Sequence, residues 1–103
     1  MSVIKIDRNN YVREVVESDK VVLLDFYADW CGPCRMLGPV IHKIAEENPH
    51  IKVGKVNVDE EQELAAKFQV MSIPSLFVLR NGEVEAQSLG VKPEAEILAM
   101  VES

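Results

Sequence analysis

The chain has 103 residues, 48% of them apolar and 27% charged. That length holds one domain, 1–103, with a core that needs no disulfide staples, and the mix excludes a disordered or fibrous chain. The formal charge of −6 argues against nucleic acid and against an anionic membrane surface, both of which call for clustered Lys and Arg.

No apolar run approaches the roughly 20 residues of a membrane-spanning helix. The start, Met1-Ser2-Val3-Ile4-Lys5-Ile6-Asp7, lacks the basic region, apolar run and small-residue cleavage site of an export signal, so the expected location is cytoplasmic. Val3 to Ile6 reads as a short strand. Tyr11, Val12, Val15 and Val16 recur on one face of a helix. Val21 to Ala28 is nearly all apolar, which suits a central strand covered on both faces. Met36, Leu37, Val40, Ile41 and Ile44 form a second helical stripe, with Pro39 expected to kink it. Ile51 to Val58 is a third strand. Glu60, Glu61 and Glu63 open a third helix, where its dipole favours acids, with Leu64, Ala65 and Phe68 inward. Ser75 to Leu79 is a fourth strand. Asn81-Gly82 is a two-residue hairpin signal, Glu83 to Leu89 returns antiparallel, and Gly90 breaks the strand. Pro93 starts a last helix with Ile97, Leu98 and Val101 inward. The predicted architecture is α/β, a central mixed five-stranded sheet (βαβαβαββα) flanked by four helices. Strand–helix alternation implies parallel pairing, and the hairpin adds an antiparallel edge.

The chemistry concentrates in Asp29-Trp30-Cys31-Gly32-Pro33-Cys34-Arg35, where a central strand ends and a helix begins. Sites in open α/β sheets form at such strand ends. A cysteine at a helix N-terminus meets unpaired N–H groups and the positive end of the dipole, so its thiolate is favoured. Cys31 holds that place and is expected to be the exposed nucleophile. Cys34, one turn on, is expected to be the recessed resolving thiol. Other readings compete. A structural disulfide closing so short a loop contributes little. A zinc site needs further ligands, and His42 and His50 lack partner spacing, so no metal site is expected within one chain.

Trp30-Cys31-Gly32-Pro33-Cys34 after an apolar strand containing Asp25 resembles the thioredoxin family. So do Lys55 on the third strand, Asp59 at its end, Ile73-Pro74 before the fourth, Asn81-Gly82-Glu83 at the hairpin and Gly90 after the fifth. The resemblance covers essentially the whole chain. It implies the thioredoxin fold and protein-disulfide reduction by dithiol exchange through Cys31 and Cys34, with no bound cofactor. Reducing power would come from NADPH through a flavoprotein reductase, or from a ferredoxin-linked one. The expected partners are that reductase and disulfide-containing proteins, and the expected state is monomeric.

Asp25 lies inside an apolar strand, where a charge is costly unless paired. It is either a carboxylate satisfied by a backbone group or by Lys55, or one whose raised pKa lets it take the proton of Cys34. The resemblance supports the second role, with Lys55 tuning it. Pro74 reads alone as a strand-first proline, and most X–Pro bonds are trans. The resemblance implies a cis bond facing the cysteines, leaving the Ile73 backbone free to pair with an extended substrate. Trp30, Gly32, Pro33, Ile73, Pro74, Gly90 and Val91 would then outline an apolar binding patch. Met71-Ser72 stands where many thioredoxins carry Arg-Gly, which changes the charge beside the site. Two alternatives are an oxidant or isomerase of the same fold, which usually carries His at the Pro33 position, and a redox-indifferent binding module.

Overall fold

A computed structural model describes residues 3–102 and sets the apolar run Val21–Tyr27 in the middle of a five-stranded sheet as β2. The other strands are β1 (Val3–Lys5), β3 (Ile51–Asn57), β4 (Ser75–Arg80) and β5 (Glu83–Leu89), in the spatial order β1–β3–β2–β4–β5. β3 runs parallel to both β1 and β2, while β4 is antiparallel to β2 and β5 to β4. The helices are α1 (Gly32–Glu47), α2 (Gln62–Lys67) and α3 (Glu94–Glu102).

The first of the four expected helices is a short π-helical turn, Val12–Val16, closed by the Glu17 N–H on the Val12 carbonyl at 2.9 Å. Its wider winding brings only Tyr11 and Val15 inward and leaves Val12 and Val16 exposed, against the four-residue stripe read from the sequence. Met36 also departs from its predicted face. It is 69% exposed, because α1 needs only Leu37, Ile41, Ile44 and Ala45 to cover its side of the sheet. α1 continues through Pro39 as one helix.

Strand alternation sorts β2 between two cores. Val22, Leu24 and Phe26 face the layer of the π-turn and α2, where Phe26, Phe68 and Phe77 pack ring on ring. Leu23 faces α1 and α3, with Val53, Leu76 and Val78. Asp25, two residues further on, shares that second face. The hairpin turn follows its sequence signal, since Asn81 and Gly82 both take positive φ, 53° and 80°. β5 carries mostly exposed residues, including Glu83 and Glu85, and a register shift at Val78/Leu79 bends its pairing.

Gly54 is held by packing. A Cβ there would lie 2.7 Å from Ile6 Cγ1 and 3.1 Å from Leu24 Cδ2. Gly54→Ala is expected to lower stability by about 1–3 kcal/mol through overpacking, read from the urea midpoint at unchanged slope.

Candidate active site

β2 delivers the chain to α1 through Ala28, Asp29 and Trp30, and several bonds brace that bend. The Cys31 N–H donates to the Ala28 carbonyl at 3.2 Å, Arg35 Nη1 to the Asp29 carbonyl at 2.8 Å, and Trp30 Nε1 to Asp59 Oδ2 at 2.9 Å. Asp59 is fixed in turn, its N–H donating to Oδ1 of the buried Asn57 at 2.9 Å. Cys31 is the N-cap of α1, and its sulfur accepts the Cys34 N–H at 3.2 Å. A sulfur receiving a helix-terminal N–H sits where negative charge is stabilised. Gly32 and Pro33 fill the first helical positions, where Pro loses no intrahelical bond. Cys34 follows one turn along, and the two cysteines form a disulfide with a Cα–Cα distance of 5.2 Å.

The expected contrast between an exposed Cys31 and a recessed Cys34 is absent in this oxidised form, where each is 5% exposed. Both pack with Ala28 against Tyr27, Val58 and Ile73. What differs is the side each borders. Cys31 lines an outer groove of about 490 Å³, and Cys34 lines an inner cleft of about 190 Å³.

Asp25 and Lys55 line that inner cleft with Cys34. They are register partners on adjacent strands, so their side chains share one face. Asp25 is 4% exposed, and no described group hydrogen-bonds its Oδ1. Burial therefore pushes its carboxyl up to about 7, against the opposing pull of the Lys55 charge. Lys55 acts on it through space, with its ammonium 5.7 Å from the centre of the Tyr27 ring. Of the two readings of Asp25, the geometry favours the unsatisfied carboxylate over the hydrogen-bonded one.

The outer groove is lined by Trp30, Cys31, Gly32, Pro33 and Ile73, as expected, and also by Val58, Val70, Met71 and Ser72. The Ile73–Pro74 peptide is cis, and the Ile73 carbonyl oxygen lies 3.9 Å from Cys31 Sγ. Pro74 is buried and does not line the groove. Its carbonyl accepts the Gly90 N–H at 2.9 Å, which brings Gly90, at φ 83°, and the exposed Val91 to the same end of the sheet without their lining the groove. The sequence marks Val58 only as the end of the third strand, and Asp59 beside it only as part of the family resemblance, neither as a site residue. Nothing in the sequence marked Val70. Among the described residues, no group of three or more His, Cys, Asp or Glu is placed to hold a metal, and none of the helices is long and apolar enough to cross a membrane.

A cysteine pair whose first member caps a helix, over a buried carboxylate, at the end of a central strand and beside a cis-proline, defines a thiol–disulfide oxidoreductase. The sequence profile described as Thioredoxin matches residues 2–103, and this chain belongs to the thioredoxin family. It is 43% identical over 102 residues to the thioredoxin of Bacillus subtilis (strain 168), covering 98% of this chain and 96% of that protein. It is 42% identical over 96 residues to the Haemophilus influenzae thioredoxin, covering 92% of this chain and 90% of that protein. A solved mutant thioredoxin from Halobacterium salinarum NRC-1 superposes with a TM-score of 0.90 at 36% identity, covering 98% of this chain and 88% of that one. The activity is thiol–disulfide exchange, and the family's chemistry needs no bound cofactor.

Proposed function

We propose that this single-domain chain, residues 1–103, is a monomeric, cytoplasmic protein-disulfide reductase that serves as a general electron donor. The Cys31 thiolate attacks a substrate disulfide, forming a mixed disulfide and releasing one substrate thiolate. Cys34 gives its proton to Asp25 across the inner cleft and attacks Cys31 Sγ. The Cys31–Cys34 bond forms, the mixed disulfide breaks and the second substrate thiolate leaves. Two electrons pass from the protein to the substrate. A flavoprotein reductase drawing on NADPH, or a ferredoxin-linked one, restores the dithiol.

Lys55 lowers the charge cost of Asp25 as it ionises. Trp30, Gly32, Pro33 and Ile73 receive an extended stretch of substrate, which pairs with the Ile73 backbone in the manner of strand addition, with Pro74 buried next to Ile73 and Gly90 and Val91 outside the groove lining. The observation that carries this reading is the shared inner cleft of Asp25 and Cys34 beneath a disulfide that opens to the outer groove.

The test is the reduction potential of Cys31–Cys34, equilibrated in dithiol/disulfide buffers and read by alkylation and mass. The expected value is near about −270 mV, the reference value for a thioredoxin. Pro33 supplies no positive charge between the cysteines to stabilise the reduced form. A value near about −180 mV would mark an isomerase or oxidant, and absence of a reversible transition would leave a binding module.

A further inference from the structure

The outer groove is lined without a single charged side chain, in a protein whose net charge is −6. Within it Met71 is 95% exposed, the most exposed large apolar residue described. Its backbone is nevertheless held on both sides. Gln69 closes α2 at φ 56°, the Val70 N–H donates to the Ala65 carbonyl at 2.9 Å, and Ser75 Oγ donates to the Ser72 carbonyl at 2.6 Å. A fixed loop thus presents a free, flexible thioether. Trp30 is committed through its indole N–H to Asp59, and Ile73 is half-buried against the disulfide. Met71 remains as the adaptable surface, and methionine shapes itself to varied apolar partners. In an extended segment side chains alternate, so the residue two places from a substrate cysteine faces the same way, about 6.6 Å along the strand.

We propose that Met71 sets substrate preference, favouring disulfide-bearing segments with an apolar side chain two residues from the reactive cysteine. This rests on the groove reading above. The test uses the reduced protein and symmetrical disulfide dimers of one short peptide carrying Leu, Glu or Lys two residues before its cysteine. Released peptide thiol is followed by acid quench and chromatography. The wild type is expected to reduce the Leu dimer about tenfold faster than the Glu dimer, the scale of one apolar contact. Met71→Leu keeps that ratio, and Met71→Arg brings it to one or below while slowing the Lys dimer. A wild-type ratio near one overturns the proposal. So does a ratio unchanged by Met71→Arg while Trp30→Ala slows all three dimers, an outcome that leaves the groove reading standing. If neither Trp30→Ala nor Met71→Arg moves any rate, the groove reading fails with it.

Discussion

Cys34→Ser is expected to halt turnover after one bond exchange and to leave the protein joined to its substrate through Cys31. The serine hydroxyl has the size of the thiol but cannot displace a disulfide sulfur, so the mixed disulfide loses its intramolecular exit. Cys34 attacks from a fixed position one helical turn away, with its Cα 5.2 Å from that of Cys31. Such pre-set geometry is worth effective concentrations of about 10⁵ M or more, which the released substrate thiol does not match. The adduct should therefore persist on non-reducing gels and fall apart with added dithiol. Cys31→Ser should form no adduct, since Cys34 borders the inner cleft rather than the groove. An adduct from Cys31→Ser alone would reverse the assigned order of attack, and equal yields from both variants would abolish it.

Asp25→Asn carries the second large effect, and it moves activity and stability in opposite directions. Proton transfer by a placed carboxylate contributes on the order of 100-fold, so the lifetime of the mixed disulfide at pH 7 should lengthen by about that factor. The limb of the wild-type pH profile near 7 should vanish. The stability effect follows from the direction of the shift. Burial pushes the folded carboxyl up to about 7 from the ordinary 3.8, so between those two values the native state holds a proton that the unfolded chain has lost. Its contribution is complete below about pH 4 and disappears as pH rises through 7, a loss of about 4 kcal/mol by linkage. Oxidised Asp25→Asn should then be more stable than the wild type at pH 8, with the gap closing toward pH 4. Denaturant melts at the two pH values measure it. Equal stabilities at pH 8 would mean that Asp25 is not penalised by burial.

The central position of β2 was readable because Val21–Tyr27 leaves no polar side for water, and the structure covers both faces of it. The Cys31–Cys34 pair was readable because spacing and helix start lie within a few residues of each other. What escaped depends on distant chain. The burial of Cys31 comes from Val58 and Ile73, brought in from other loops. The π-turn escaped because Val12 and Val16 fit an α-helical stripe as well as its edge. Asp25 was legible as a buried acid, but its lack of a hydrogen bond was not, since Lys55 sits at the right register and still turns toward Tyr27.

The open margins of the sheet bear on how such a molecule survives at high concentration. A protein proposed to bind extended chains through backbone groups near Ile73 must not offer the same invitation elsewhere. β1 is only three residues long, and β5 presents Glu83 and Glu85 outward beside a register shift. Short length, repelling acids and a bent ladder are the devices that keep a sheet margin from templating its own copies. The groove beside the disulfide carries no such charge, so backbone pairing is discouraged at the described margins and left open at the groove.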